Sequence, residues 1–306
     1  MGQDKGRVWA PVITPFGADH SPDTKRFIAH CRWLLEQDVS LAVFGTNSEA
    51  NSLGAGEKIR LLDALIDAGV PAARLMPGTG SCALPDTVAQ TRHATALGVE
   101  GVLMLPPFYY KGVSDEGLFR YFSEVIEQVG DDSLRVYLYH IPPVSQVPLS
   151  LALIERLRKA YPNNVVGLKD SSGDWANTRA VIERFGADGF QVYAGSESFL
   201  LQTLRAGGAG CISATANVNP GPIARLARSW QAADADEQQA ALVRTRKIFE
   251  RFPLIAALKA ATARFSDDEQ WARLRAPLVE LDGHQCAELL VLLGDAGFDM
   301  PGLKHS

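Results

Sequence analysis

Cysteine is scarce in this sequence, and the few cysteines lie far apart. Cys31, Cys82, Cys211 and Cys286 form no C-x-x-C pair, and no histidine stands at a spacing suited to a zinc site. Disulfide frameworks are typical of small secreted domains, whereas this chain has 306 residues. The four cysteines are therefore expected to be reduced thiols of a cytoplasmic protein.

Long hydrophobic runs are also missing. No apolar stretch approaches the roughly 20 residues that a helix needs to span a bilayer. The first residues, MGQDKGRVWAPVITPF, lack the apolar core of a signal peptide. Gly6 stands where the myristoylation pattern requires Ser or Thr. We therefore expect a cytoplasmic protein that has no membrane partner.

Positive charge is not in excess, since 30 Lys and Arg stand against 35 Asp and Glu. The densest basic stretch, RTRKIFERF at 244–252, has acidic and apolar neighbours and is typical of a helix face. We therefore expect no nucleic-acid partner. Nucleotide motifs are absent as well: no G-x-G-x-x-G follows the first predicted strand, and GTGSCALPD at 78–86 lacks the lysine of a Walker sequence.

What the sequence does contain is an alternation of short apolar runs and amphipathic helical stretches. The runs lack polar alternation, which is typical of parallel strands buried on both faces. One strand–helix repeat takes roughly thirty residues. Eight runs occur at about this spacing, and they are RVWAPVIT (7–14), LAVFGT (41–46), RLMPGT (74–79), GVLMLP (101–106), RVYLYH (135–140), NVVGLK (164–169), FQVYAG (190–195) and AGCISA (209–214). This number favours an α/β fold, a (β/α)8 TIM barrel, over an open doubly wound sheet.

Beyond residue 220 the pattern becomes helical throughout. Apolar residues recur at three and four positions in the stretches 221–233, 237–252, 254–265 and 286–297. No flexible linker precedes them. We therefore expect residues 1–220 to form the barrel core. Residues 221–306 would add the last barrel helix and a C-terminal helical appendix within the same single domain.

The predicted strand ends carry the candidate chemistry, because the active sites of such barrels lie at the C-terminal ends of the strands. No cluster of His, Asp or Glu at these ends is suited to a divalent metal, so we expect no metal cofactor. Lys169 ends the apolar run VVGLK. Burial disfavours the charged form of a lysine, and a free amine can attack a ketone to form a Schiff base.

Two further strand ends offer matching groups. Tyr139 ends the strand before that of Lys169, so neighbouring strands should present both side chains to one cavity, where a phenol can act as acid and base. The turn Thr46-Asn47-Ser48 precedes a helical segment and offers donors to a carboxylate. Each element alone is a weak signal, since strand-end lysines are usually solvated.

These residues stand in motifs that resemble the dihydrodipicolinate synthase / N-acetylneuraminate lyase family of class I aldolases. APVITPF resembles the first strand of that family, and GTNSEANSL, at 45–53, stands in the place of its G-T-T-G-E loop. PPFYYKGVSDEGLFRYF resembles its strand-end double tyrosine and the following helix. YHIPP and GLKDSSGD match its tyrosine and lysine motifs, while ISATANVNP and LRAPLVEL resemble later landmarks. The resemblance extends over nearly the whole chain.

The resemblance implies a role for five residues. Lys169 would form the Schiff base with pyruvate or a 2-keto acid, and Tyr139 would be the general acid and base. Thr46 and Asn47 would hold the substrate carboxylate, and Thr46 would also link Tyr139 to Tyr110 in a proton relay. In the family this second tyrosine comes from a neighbouring subunit. Tyr110 is therefore expected at a subunit contact of a homotetramer, a dimer of dimers.

The sequence departs from the family pattern at several positions. Val144 stands where dihydrodipicolinate synthases carry an arginine that binds the carboxylate of aspartate semialdehyde, and loss of a bidentate clamp disfavours that substrate. Asn47 and Ser48 replace the second threonine and the glycine of the loop. His140 stands where asparagine is common, and we expect it to act from behind Tyr139 as a supporting group.

A group of strand-end residues resembles the part of sugar-acid lyases that binds the polyol tail of the substrate. The predicted substrate-binding residues of this group are Gly195, Ser196, Glu197, Ile212 and Ser213. An alternative is that Glu197 merely begins a helix, because acidic residues favour the first turn.

We therefore predict a lyase, an aldolase or a dehydratase, that acts on pyruvate or on a 2-keto acid such as a 2-keto-3-deoxy sugar acid. The main alternative is 4-hydroxy-tetrahydrodipicolinate (dihydrodipicolinate) synthase, which condenses pyruvate with aspartate semialdehyde. A barrel without catalysis that serves in binding or regulation is disfavoured, because Lys169, Tyr139 and Tyr110 occur together.

Overall fold

One parallel sheet forms the centre of the molecule. The computed structural model describes residues 6–303, so residues 1–5, which begin the amino-terminal stretch considered above, and residues 304–306 lie outside the description. The strands are β1 (Arg7–Ala10), β2 (Ser40–Leu41), β3 (Val102–Met104), β4 (Val136–His140), β5 (Val165–Asp170), β6 (Gln191–Ala194) and β7 (Gly210–Ile212). All neighbours pair in parallel, in the order β2-β1-β7-β6-β5-β4-β3.

The helices lie between and after the strands. They are α1 (Thr24–Glu36), α2 (Ala55–Asp67), α3 (Leu84–Ala96), α4 (Asp115–Val129), α5 (Pro142–Ser145), α6 (Leu151–Ala160), α7 (Trp175–Phe185), α8 (Leu200–Arg205), α9 (Pro220–Arg228), α10 (Ala235–Phe249), α11 (Leu254–Ser266) and α12 (Gly283–Asp295). Within the described residues, the part of the chain after β7 contains four of these helices and no strand.

The prediction of eight strands is confirmed for seven of them, and the predicted strand 74–79 is the exception. It forms only isolated parallel bridges, from Leu75 to Leu41 of β2 and from Gly78 to Leu103 of β3. Pro77 lies between the two bridges and has no N–H group, which interrupts a regular ladder. The segment nevertheless connects by hydrogen bonds to both edge strands of the sheet.

The observed strands are also shorter than predicted, for local reasons. The first strand ends at Ala10 because Pro11 follows, whereas we expected strand up to residue 14. The second ends at Leu41 and not at residue 46. Phe44 has φ +62°, a left-handed conformation that no strand accepts.

Apolar side chains form an inner and an outer layer. The outer layer packs the helices against the sheet. The inner layer is a smaller buried cluster that consists of Trp9, Ala42, Met76, Leu103, Tyr137, Tyr139, Ile141, Tyr193, Ala209 and Ile212. Since both faces of the sheet are covered, the strands need no polar alternation. Tyr139 therefore packs among apolar side chains at the centre of the sheet.

The start and end of α4 illustrate how the sequence fixes the helix boundaries. The Ser114 side chain accepts a hydrogen bond from the Gly117 N–H, and Asp115 and Glu116 occupy the first turn, where the helix dipole favours acidic groups. The helix ends at Gly130, whose φ of +65° suits glycine. The chain then returns to the sheet as β4.

Buried His30 on α1 should make stability depend on pH. Its ring packs against Trp33 and Trp271, with centroid distances of 5.4 and 5.1 Å. Burial lowers its pKa to about 4 from an ordinary value of 6.5. The folded state thus favours the neutral ring. The stability that this provides is present above pH 6.5 and is lost as the pH falls towards 4, at about 1.4 kcal/mol per pH unit.

We therefore expect the free energy of unfolding to fall between pH 6.5 and 4, and to fall less steeply in His30→Phe. Urea denaturation of both proteins at several pH values measures the two slopes. Equal slopes would contradict the assignment of this pH dependence to His30.

Candidate active site

The register of β4 and β5 brings a lysine and a tyrosine together. Tyr139 pairs with Lys169 across the two strands. The Lys169 Nζ lies 4.2 Å from the centroid of the Tyr139 ring. Only 1% of Lys169 and 2% of Tyr139 are exposed to solvent. Two neighbouring strand ends thus hold an amine and a phenol in contact within a nearly water-free environment.

The surroundings of Tyr139 lower its pKa below the ordinary value of a phenol. Burial alone raises the pKa of a phenol, but the positive charge of Lys169 and hydrogen bonds with Thr46, Lys169 and Ser171 outweigh this, so the pKa of Tyr139 is lowered. The phenol oxygen lies 3.2 Å from the Thr46 Oγ1. A phenol with a lowered pKa gives up and regains a proton more readily near neutral pH.

Thr46 belongs to a short 3-10 turn, Thr46–Ser48, in a loop of unusual backbone conformation. Phe44 before the turn has φ +62° and Glu49 after it has φ +56°, values that favour glycine. The Ser48 Oγ accepts a hydrogen bond from the Gly45 N–H at 3.1 Å, and Thr14 donates to the Ser48 carbonyl at 2.7 Å. These bonds hold Thr46 and Asn47 in a fixed position.

A buried ion pair clamps the same loop to the C-terminal helices. The Lys259 ammonium of α11 contacts the Glu49 carboxylate, and neither side chain has any solvent exposure. The Glu49 Oε2 also accepts from the Arg275 N–H at 3.1 Å, and Lys259 donates to the Arg273 carbonyl at 2.7 Å. The sequence analysis missed this clamp because its members are more than 200 positions apart.

Gly195 and Ser196 follow β6 at the same end of the sheet. A Cβ atom on Gly195 would lie 2.1 Å from the Ser171 Oγ, so only glycine fits beside the end of β5. Both residues line the cavity above Lys169. This placement agrees with the expectation that they face the substrate.

Three other predicted substrate-binding residues lie behind the cavity wall. Glu197, Ile212 and Ser213 have no solvent exposure and are not among the residues that line the cavity. The Glu197 carboxylate accepts hydrogen bonds from the hydroxyls of Ser213 and Thr215, and Ile212 belongs to the inner apolar cluster. These three side chains therefore contact one another or the core, and their contact with a substrate remains a prediction.

His140 does not line the cavity. Its Nδ1 accepts a hydrogen bond from the Leu149 N–H at 3.0 Å, which ties the end of β4 to the following loop. Burial lowers the pKa of His140, and the nearby Asp170 partly opposes this effect. The neutral ring is the form that can accept at Nδ1.

Tyr110 does not line the cavity formed by one chain. It is 72% exposed and is not a lining residue. It packs edge to face against Tyr109, which is 74% exposed, at a centroid distance of 5.3 Å. The expected place of Tyr110 at a subunit contact remains a prediction.

The candidate site is a cavity of about 430 Å³ at the carboxyl ends of the strands. Its lining residues are Thr46, Asn47, Tyr139, Ile141, Val144, Lys169, Asp170, Ser171, Gly173, Gly195, Ser196, Ser198, Phe199, Ala214, Arg246, Glu250 and Leu254. Ser171 and Ser198 could have been found from their places just after strand ends. Arg246 and Glu250 come from α10 and its end, where the sequence gives no such signal.

The described residues contain neither a metal-binding cluster nor a membrane-spanning helix. In the range 6–303, no group of three or more His, Cys, Asp or Glu side chains is arranged to hold a metal ion. No helix formed by these residues has the length and apolar character needed to cross a membrane.

Comparison with known proteins decides the family. The model of the dihydrodipicolinate synthetase family matches residues 4–295. The chain belongs to this family. The protein is thus a lyase of the dihydrodipicolinate synthetase family, as the motifs around Lys169 and Tyr139 predicted.

Relatives match this family member over nearly their whole length. It is 33% identical to an uncharacterized DapA-like lyase of Chloroflexus aurantiacus over 94% of this chain and 96% of the relative. The crystal structure of dihydrodipicolinate synthase from Agrobacterium tumefaciens is similar with a TM-score of 0.88 and 31% identity, covering 95% of this chain and 99% of that one. YagE, a family member from Escherichia coli solved with pyruvate, has a TM-score of 0.86 and 28% identity, with 95% and 98% covered.

Val144 lies where the sequence analysis noted a missing arginine. It lines the cavity and is 61% exposed. Within the described part of this family member, the arginine that lines the cavity is Arg246, from α10. Neither Arg120 nor Arg135 lines it: Arg120 pairs with Glu116 on α4, and Arg135 precedes β4 at the opposite end of the strand.

Lys259→Met should destabilise this family member strongly. The change leaves the Glu49 carboxylate buried without its ion-pair partner, which costs about 3–5 kcal/mol of unfolding free energy. Adding Glu49→Gln removes the unpaired charge and should recover part of the loss. Urea denaturation of the single and double variants measures both effects, with exposed Lys247→Met on α10 as the control. A cost in Lys259→Met as small as in Lys247→Met would contradict the clamp.

Proposed function

We propose that the protein is a Schiff-base-forming aldolase or dehydratase that acts on pyruvate or on a 2-keto acid such as a 2-keto-3-deoxy sugar acid. The observation that carries the proposal is the buried Lys169 amine in contact with the Tyr139 phenol. The cavity of about 430 Å³ around them suits a small, elongated acid. The pyruvate bound in the Escherichia coli family member supports the same class of substrate.

The proposed reaction uses one amine and one phenol. The Lys169 Nζ attacks the C2 carbonyl, and Tyr139 supplies the proton with which the carbonyl oxygen leaves as water, so that an imine forms. In aldol cleavage the C4 hydroxyl gives its proton to the Tyr139 phenolate left by imine formation, and the C3–C4 bond breaks. C4 leaves as an aldehyde, and the electron pair of the broken bond forms an enamine with the protonated imine. Protonation of the resulting enamine at C3 and hydrolysis of the imine then release pyruvate and restore the lysine.

Thr46 and Asn47 would hold the carboxylate of the substrate. Both line the cavity, and the bonds within their loop keep them in place. The Thr46 hydroxyl, 3.2 Å from the phenol oxygen, would also pass protons to and from Tyr139. In this proposal His140 acts through the position of β4 and does not touch the substrate.

The proposal also includes a closed barrel, a homotetramer and a cytoplasmic location. The bridges that join segment 74–79 to β2 and β3 support a closed eight-stranded barrel, with residues 221–306 added to the same domain as residues 1–220. The exposed Tyr109–Tyr110 pair supports a subunit contact of a homotetramer. The four free cysteines support a cytoplasmic location.

Dihydrodipicolinate synthase is the second candidate function. The similarity to the Agrobacterium tumefaciens structure favours it. Val144 opposes it, because an apolar side chain at the cavity cannot replace a bidentate clamp for a second carboxylate.

A trapping experiment and a substrate screen test the proposal. Borohydride with pyruvate should give a stable adduct whose mass spectrum places it on Lys169. A panel of 2-keto-3-deoxy acids should include a substrate that is consumed with saturation kinetics, while pyruvate with aspartate semialdehyde should not turn over efficiently. Failure to form any adduct would overturn the Schiff-base proposal, and efficient condensation with aspartate semialdehyde would favour the synthase.

A further inference from the structure

Arg246 is a largely buried arginine that lines the cavity. It projects from α10, whereas Lys169 and Tyr139 come from strand ends, and all three line the same cavity. Its side chain is only 10% exposed. Neither the Schiff-base chemistry nor the carboxylate site proposed above uses it. A buried guanidinium in a substrate cavity therefore needs an explanation of its own.

Neighbouring groups hold this guanidinium in place. The Arg246 Nε donates to the Glu250 Oε1 at 2.7 Å, and Nη1 donates to the Ser213 Oγ at 3.3 Å. Nη1 also lies 3.5 Å from the Glu197 Oε2. Glu197 cannot turn away, because it is fully buried and accepts from two hydroxyls. Among residues 6–303, no hydrogen-bond partner is found for Nη2, which leaves one donor nitrogen of a rigid group available to a ligand.

The charge around Arg246 determines what kind of ligand suits it. One guanidinium stands between two carboxylates, Glu197 and Glu250, so the local sum of charges is negative. Like charges repel each other, and the repulsion is stronger where the surroundings exclude water. Repulsion by the two carboxylates would thus offset much of the attraction between an anionic ligand group and the Arg246 guanidinium.

A neutral hydroxyl fits this environment better than an anion. It can accept a hydrogen bond from the Arg246 Nη2 and donate one to Glu250, whose side chain is half exposed and also lines the cavity. Ser196 and Ser198, which flank Glu197 in the chain, add two more hydroxyls to the lining. The tail of a substrate therefore meets both hydrogen-bond donors and hydrogen-bond acceptors, and these groups together carry no net positive charge.

We propose that Arg246 and Glu250 select a 2-keto acid whose tail is uncharged and hydroxylated, and that they discriminate against tails that end in a phosphate or a second carboxylate. This inference rests on the proposed function, because it requires the keto-acid end of the substrate to be bound at Lys169. It narrows the substrate class to unphosphorylated sugar acids with a single carboxylate.

The test compares three six-carbon 2-keto-3-deoxy acids that are identical through carbon 5 and end in a hydroxymethyl group, a phosphate ester or a carboxylate. Loss of each acid is followed by chromatography, which detects cleavage and dehydration alike. We expect kcat/KM to be at least about tenfold higher for the hydroxymethyl compound. An equal or higher value for either charged tail would overturn the inference.

Two variants connect this preference to the named residues. Arg246→Met should lower kcat/KM for the hydroxymethyl compound about 10–100-fold, mainly through KM, because it removes a hydrogen bond from a charged donor. Glu250→Gln removes one of the two carboxylates. It should reduce the ratio of kcat/KM for the hydroxymethyl compound to kcat/KM for the charged compounds about tenfold. Arg244→Met, an exposed change on the same helix, is the matched control.

Glu250→Gln still tests the inference if Arg246→Met folds poorly, because Glu250 is half exposed and its isosteric replacement does not disturb the core. An unchanged ratio of kcat/KM values among the three acids in Glu250→Gln would overturn the role of this residue. Borohydride trapping of wild type with pyruvate tests the proposed function independently of the tail preference, since pyruvate has no tail. No adduct means that the proposed function fails, whereas an adduct without a tail preference means that only this inference fails.

Discussion

Lys169→Ala is expected to abolish turnover completely. The proposed reaction passes through a covalent imine, and no other lysine lines the cavity among the described residues. Water could not take over this step, because it cannot act as an electron sink for the breaking carbon–carbon bond. The measurement is twofold: consumption of the best substrate from the screen, and borohydride trapping with pyruvate followed by mass spectrometry. Both signals should fall to background.

Suitable controls separate loss of chemistry from loss of folding. Lys169→Met keeps most of the buried volume and should be as inactive as Lys169→Ala while unfolding at a similar urea concentration to wild type. Lys159→Ala changes an exposed lysine at the end of α6 and should retain full activity and trapping. A pyruvate adduct that persists in Lys169→Met would contradict the assignment of the nucleophile.

Tyr139→Phe should lower kcat by about 10²–10⁴-fold without preventing imine formation. The change keeps the ring against which the Lys169 amine packs, 4.2 Å from its centroid, and removes only the hydroxyl that lies 3.2 Å from Thr46. Proton transfer then has to proceed through water or Thr46. Borohydride trapping with pyruvate should still label Lys169, although more slowly, while substrate turnover is strongly reduced.

Tyr137→Phe is the matched control for this change. Tyr137 lies two positions earlier on β4, is equally buried, and donates a hydrogen bond to Gln191 at 3.2 Å. Loss of its hydroxyl should cost about 1 kcal/mol of unfolding free energy and leave kcat nearly unchanged. If Tyr137→Phe and Tyr139→Phe reduced kcat equally, the effect would be structural, and the acid–base role of Tyr139 would be rejected.

The part of the site that could be predicted from the sequence is the part that parallel strands organise. Lys169 and Tyr139 end consecutive apolar runs, and strands that follow each other in a repeated strand–helix pattern usually become neighbours. Their pairing in the sheet and their contact follow from that rule. Their catalytic roles, and the role of Tyr110, remain predictions that the experiments above test.

The limits of prediction appear where side chains compete for partners. Glu197 and Ser213 stand at strand ends, as a substrate-binding group should, yet they bind each other behind the cavity wall. The residue pattern of a single strand cannot predict this contact, because the partner side chain follows the next strand. Arg246 belongs to a stretch that the sequence predicts as a helix face, and in the folded chain it lines the cavity.

The family resemblance, the strand–helix repeat and the pairing of Lys169 with Tyr139 could all be predicted from the sequence, because they depend on local apolar runs and on motifs of adjacent residues. The tertiary structure alone decided that Glu49 is clamped by Lys259 and that Arg246 and Glu250 share the cavity with Lys169. These contacts join residues far apart in the chain. Their geometry depends on how whole helices pack against the sheet, and no local pattern encodes it.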